Sequence, residues 1–309
     1  MNRRDFLKVA GVGAGLLIPQ PPPYKIYLPI VSKSKGNVGV ENEGGFGNLD
    51  KYYNPHTRLK VSVRWSDVEF LQGYYDWSSL DGKLGSYHAD WITVKMTPAW
   101  ALPDGEPVCK LPTMEYWGAF HKFAQAVIDR YHPEYLEIWN EPNISYELMN
   151  PDHAYQYGCV GDAPLYGEFV EKLYHAIDGA KVIAGAVSNV DPHYMTAMFE
   201  ETKGYYDGLS IHCYEYFDSI LGDTCLDNFT YAETLTDKPV YLSETAVYYV
   251  SGDIDDYYDA QIAHYRRLET LPTPWFWYTI GYNGWPTIST DMIGPDGPRP
   301  IWNIYRNDQ

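Results

Sequence analysis

The sequence predicts a single (β/α)8 TIM barrel behind a short export leader, and three observations carry that expectation. Eight short apolar or β-rich runs alternate with helix-periodic segments, the pattern of βα units wound around a parallel sheet. No internal repeat, low-complexity tract or Pro/Gly/Ser-rich linker divides Gly36 from Gln309. The 309 residues, 45% hydrophobic, accommodate one barrel of roughly 250 residues once a leader is set aside.

Residues 1–35 read as that leader and a linker. Asn2-Arg3-Arg4-Asp5-Phe6-Leu7-Lys8 precedes an apolar run from Val9 to Ile18 and a proline-rich break at Pro19 to Pro23. Basic head, apolar run and breaker in this order look like a twin-arginine export signal, which places the folded domain, 36–309, outside the cytoplasm. The run is too short to span a bilayer, which takes roughly 20 residues, and no later stretch is long or apolar enough. Membrane contact is therefore expected only through the leader.

Strands are expected near Val38 to Glu41, Leu59 to Trp65, Trp91 to Met96, Tyr135 to Asn140, Lys181 to Ala186, Gly208 to Tyr214, Val240 to Glu244 and Trp275 to Thr279. The clearest helix runs from Met114 to Tyr131, where Trp117, Phe120, Phe123, Ala124, Val127 and Ile128 recur at steps of three and four residues behind Pro112. Tyr166 to Ile177 and Tyr257 to Leu268 repeat the pattern. The first connection, Gly44 to Arg58, contains Asn54-Pro55 and has room only for a short or irregular helix.

Outside the leader the chain carries 17 basic against 40 acidic residues. Such a field repels phosphate backbones, anionic membranes and anionic polysaccharides, and leaves neutral partners favoured. Aromatic residues make up 16% of the chain; most belong to packing, but flat rings with an apolar face and a polar edge also suit sugars. The four cysteines, Cys109, Cys159, Cys213 and Cys225, match no zinc spacing, and no nucleotide, metal or Ser-hydrolase motif stands in its required context. A monomer without metal or cofactor, acting on an oligo- or polysaccharide, is the expectation.

Cleaving a glycosidic bond without a metal generally takes two carboxyl groups, and in a barrel they sit at the C-terminal ends of strands. Two segments fit. Tyr135-Leu136-Glu137-Ile138-Trp139-Asn140-Glu141-Pro142 is a strand that Pro142 stops directly after an acid, and Val240-Tyr241-Leu242-Ser243-Glu244 also ends on a glutamate. Glu137 shares a face with Glu141 but lies about 13 Å deeper at 3.3 Å per residue, and reads as structural.

Trp-Asn-Glu-Pro on strand four, Ser-Glu on strand seven and His212-x-Tyr214 on strand six resemble glycoside hydrolase clan A, particularly families 39 and 5. Val63-Arg64-Trp65 and Gly73-Tyr74-Tyr75-Asp76-Trp77 are similar to the second unit of family 39. The resemblance covers roughly Gly36 to Tyr305. It implies a retaining glycosidase in which Glu141 is the general acid/base and Glu244 the nucleophile. Asn140 would bind the sugar 2-hydroxyl, Arg64 and Tyr214 would hold Glu244 ionised and oriented, and His212 would line the substrate site. Trp100, Trp277 and Trp285 would stack on sugars, with Tyr278 in place of Trp277 if strand parity runs the other way. A transglycosylase on the same two acids, or a silent sugar-binding barrel, are the other readings.

Cys109 and Cys159 fall on the adjacent loops after strands three and four, where a bridge would brace the cleft. Cys213 points away from the face of His212 and Tyr214, and Cys225 is its candidate partner.

Overall fold

A computed structural model describes residues 38–41, 53–54, 57–84, 87–145, 159–217, 225–249, 252–278, 292–294 and 297–307. The leader and linker, most of the first βα connection and Trp285 lie outside the described residues.

Eight parallel strands close into a barrel in chain order: β1 (Val38–Glu41), β2 (Arg58–Arg64), β3 (Trp91–Lys95), β4 (Tyr135–Ile138), β5 (Lys181–Ser188), β6 (Gly208–Phe217), β7 (Val240–Tyr249) and β8 (Trp275–Trp277). All eight expected strands are present; β6 and β7 run three and five residues further than the apolar pattern indicated. Helices α1 (Ser78–Leu84), α2 (Trp117–Tyr131), α3 (Ala163–Tyr174), α4 (Pro192–Thr202), α5 (Cys225–Glu233) and α6 (Ile254–Leu268) join the strands from β2 to β8, and α7 (Pro300–Asn307) follows.

The helices begin where the sequence satisfies their free N–H groups. Asp162, Asp191 and Asp253 each accept hydrogen bonds from the first turn of α3, α4 and α6. The apolar stripe of α2 is wholly buried, and His132 ends that helix in a left-handed conformation with its N–H on the Ile128 carbonyl.

Alternation along the strands sorts the barrel into layers. On the helix-facing side Leu59, Val61, Val63, Ile92, Val94, Leu136, Ile138, Leu209 and Ile211 join the main core. Inside, Trp91, Tyr135, Ile183, Tyr241 and Phe276 form an aromatic-rich floor, with the Trp91 and Tyr135 rings 4.8 Å apart. Above it lies a polar layer that includes Lys60, Thr93, Glu137 and Ser210, all fully buried. This ordering puts charge directly beneath the barrel mouth.

Cys109 and Cys159 are bridged, as expected from their loops, with Cα atoms 5.2 Å apart across 50 residues of sequence. Cys213 and Cys225 are not: both are buried free thiols, and Cys225 donates instead to the Cys213 carbonyl at 3.3 Å. A loop of this length gives the bridge about 4 kcal/mol in the chain-entropy treatment. The Cys109→Ser, Cys159→Ser variant is therefore expected to melt well below the parent in a thermal scan, and an unchanged midpoint would contradict the estimate.

Candidate active site

The end of β4 is shaped by three constraints that act on one turn of backbone. Trp139 and Glu141 both take left-handed conformations, at φ 71° and 44°, which cost on the order of 1–3 kcal/mol each for residues with a Cβ. Packing supports that cost: the Trp139 ring is fully buried against Phe120 and Phe169, and its indole N–H donates to the Cys109 carbonyl at 3.1 Å. The bridged loop thus anchors the residue two before the acid. From the other side, the Glu141 N–H donates to the Ala186 carbonyl at 2.9 Å. That carbonyl is aimed by a bulge in β5 at Gly185–Val187. Only glycine fits at position 185, where φ is +114° and an added Cβ would stand 2.4 Å from the Ser210 carbonyl oxygen.

Glu244 reaches the interior through a second bulge. Tyr241 faces the barrel floor, so strict alternation would turn Glu244 outward. The register instead pairs Ile211 with Leu242 and His212 with Glu244, leaving Ser243 as the extra residue and restoring Glu244 to the inner face.

The two carboxylates meet at His212. Its Nδ1 lies 3.2 Å from Glu141 Oε1 and 3.3 Å from Glu244 Oε2, so these oxygens are at most about 6.5 Å apart. Tyr214 donates to Glu244 Oε2 at 2.6 Å, and Lys60 donates to Glu244 Oε1 at 2.9 Å. Burial alone would push the Glu244 carboxyl up. His212, Lys60 and Lys95, with the Tyr214 hydroxyl, outweigh it and hold Glu244 well below the usual carboxylate range. Burial and the Glu244 charge push the Tyr214 hydroxyl far up, so it stays a donor. Glu244 is ionised in any ordinary buffer.

Sequence reasoning therefore located Glu141, Glu244, His212 and Tyr214 in one cluster, with Asn140 buried beside Glu141. Arg64 is corrected: among the described contacts none joins it to Glu244, and the cation that does is Lys60, four residues earlier on the same inner face. Lys60 also contacts the Ser243 carbonyl at 3.1 Å and Glu137 Oε2 at 3.5 Å. Glu137, expected as a structural residue well below the mouth, is instead coupled by Lys60 to Glu244, whose Oε1 lies at most about 6.4 Å from Glu137 Oε2. Burial would raise its carboxyl; Lys60 and His212 keep it low.

Of the three tryptophans, Trp277 is corrected by parity. Phe276 belongs to the floor, so Trp277 turns outward, fully buried near His264 and Tyr265 of α6, where no sugar can reach it. Tyr278 takes the inner side, its ring 6.2 Å from Tyr214. Trp100 is half-buried, held edge-on to Trp65 and Tyr116 with its N–H on the Glu69 carbonyl, and braces the loop after β2.

Among the described residues no group of His, Cys, Asp and Glu is arranged to hold a metal ion. The arrangement brings a buried, ionised carboxylate and a second carboxyl group together around His212. Glu141 Oε2 is buried and has no hydrogen-bond partner among the described residues.

No family model matches this chain, and no curated protein matches it. Solved structures do. A psychrophilic glycoside hydrolase family 10 endo-β-1,4-xylanase is similar with a TM-score of 0.59 at 13% identity, covering 88% of this chain and 96% of that one. The endo-1,4-β-xylanase from Caldicellulosiruptor owensensis gives 0.58 at 11% identity, over 88% and 96%. A GH128 (subgroup III) curdlan-specific exo-β-1,3-glucanase from Blastomyces gilchristii, in complex with glucose, gives 0.53 at 15% identity, over 88% and 99%. The likeness singles out neither family 39 nor family 5. At these identities it is one of fold, a (β/α)8 barrel extending over nearly the whole of each chain.

Proposed function

We propose that this protein is a retaining glycoside hydrolase that cleaves β-linked neutral glycans by double displacement. Glu141 protonates the leaving oxygen while Glu244 attacks the anomeric carbon; Glu141 then takes a proton from the water that releases the sugar from Glu244. The observation that carries the reading is the shared His212 contact, which limits the two nearest carboxylate oxygens to about 6.5 Å. Inverting pairs stand about 6.5–9.5 Å apart to admit a water, whereas direct attack goes with about 5–5.5 Å. Support for the substrate class comes from the acidic charge of the chain and from the similar barrels, which are named for β-1,4-xylan and β-1,3-glucan.

The test is a screen against xylan, β-1,3-glucan, mannan and other neutral β-glucans, followed by proton NMR of the first product before it mutarotates. The released sugar is expected to keep the β configuration. An α product would remove Glu244 as nucleophile, and no turnover across the panel would remove the hydrolase reading itself.

The proposal extends to location. Residues 1–35 direct export through the twin-arginine route, after which an oxidising compartment keeps Cys109 and Cys159 bridged. Arg3→Lys combined with Arg4→Lys is expected to leave the protein inside the cell; unchanged export would overturn the assignment.

A further inference from the structure

The two longest strands outrun the barrel. Among the described residues, β5 follows β6 only as far as His212, and β8 follows β7 only as far as Thr245. Beyond that level β6 and β7 continue alone, pairing Tyr214 with Ala246, Glu215 with Val247, Tyr216 with Tyr248 and Phe217 with Tyr249. Four residues past the His212–Glu244 pair, the Tyr216–Tyr248 pair stands about 13 Å above it on the same face. The back of this ribbon is anchored: Phe217 and Tyr249 stack on each other and meet the buried ring of Tyr257 on α6. The front is a run of aromatic rings. Tyr214, bonded to Glu244, has its ring 4.9 Å from Tyr248, and Tyr248 is stacked on Tyr216 at 5.4 Å. Tyr216 ends the run with 49% of its surface exposed, one face on Tyr248.

We infer that the β6–β7 ribbon, through Tyr216 backed by Tyr248, is the binding platform for a sugar of the glycan chain beyond the one that reacts. This rests on the glycosidase reading. An exposed ring stacked on a second ring is rigid, loses little conformational freedom on contact, and offers an apolar face with a polar edge, which is the chemistry a pyranose face needs. The pair stands at the mouth above the reacting carboxylates, so a glycan bound across them passes the exposed ring.

Tyr216→Ala and Tyr216→Phe test this with xylohexaose and laminarihexaose, which place sugars on both sides of the bond, and with β-glycosyl fluorides, whose leaving group fills no sugar site. Tyr216→Ala is expected to lower kcat/KM on the cleaved hexaose about tenfold or more while fluoride turnover stays within about twofold, and Tyr216→Phe is expected to restore the hexaose rate. Unchanged hexaose turnover, or an equal fall on both substrates, overturns the assignment. Calorimetric binding of the hexaoses in a Glu141→Gln background separates the two readings. Binding without cleavage by the parent protein removes the hydrolase reading, and the platform then stands or falls on whether Tyr216→Ala weakens that binding. A hexaose neither bound nor cleaved removes both.

Discussion

Glu244→Ala is expected to abolish turnover on every substrate, whatever its leaving group, because it removes the carboxylate that forms the glycosyl ester and leaves Glu141 only its part as acid and base. The loss should be on the order of 10⁵- to 10⁶-fold, the scale on which removing a covalent nucleophile acts in other hydrolases. Glu141→Ala should behave differently. It removes proton assistance, worth roughly 10²- to 10⁴-fold, so poor leaving groups suffer while fluoride or dinitrophenolate, which leave without a proton, retain substantial first-step rates. Steady-state and burst kinetics on a leaving-group series check this, and a flat series for Glu141→Ala would mean that the two roles are reversed.

Lys60→Met should be the most damaging change outside the carboxylate pair. Lys60 is fully buried, and its loss strands the charges of Glu244 and Glu137 in the barrel, a situation that costs about 3–5 kcal/mol. The pH dependence gives the second readout. Glu244 has a folded pKa held below its ordinary value near 4.5, so its ionisation stabilises the fold above pH 4.5 and that stabilisation is lost as pH falls through the lowered value. Without Lys60 the Glu244 pKa rises, and the acidic limb of kcat/KM moves to higher pH. Adding Glu137→Gln to Lys60→Met should recover part of the stability but leave the limb displaced. A limb that stays in place in both variants would make Lys60 a structural lysine only.

The barrel was legible because parallel strands are apolar on their helix-facing side and short, so Leu59-x-Val61-x-Val63 or Leu136-x-Ile138 stand out between helical stretches. Glu141, His212, Tyr214 and Glu244 were legible through short motifs. Lys60 was not, since a lysine alternating with apolar residues ordinarily marks a solvent face. In a closed barrel both faces are buried, and the alternation Lys60, Ser62, Arg64 marks the interior instead; Thr93 and Lys95 on β3 repeat the signal. The Trp277 assignment failed for a related reason. Counting by twos along β8 required knowing which residue began on the floor, and Phe276 is identified as that residue only by its packing against Trp91 and Tyr241. The bulges in β5 and β7 are equally hidden. Each inserts one residue, which shifts the face of everything that follows, and no residue type announces the one in β7.

The two-stranded extension of β6 and β7 also has a mechanical side. Each of its strands is paired along one edge only, and a lone pair of strands holds itself together weakly without further packing. Its described braces lie on the back, where Tyr257 meets Phe217 and Tyr249 and the Cys225 N–H donates to Glu215 Oε1 at 2.7 Å, so the ribbon behaves as a wall held from behind whose front face can yield. Amide exchange should quicken from residue 212 towards 217 and from 245 towards 249. A chain entering the cleft would meet a wall able to give way on its front face. Uniform protection along both strands would instead mean that the wall is as rigid as the barrel.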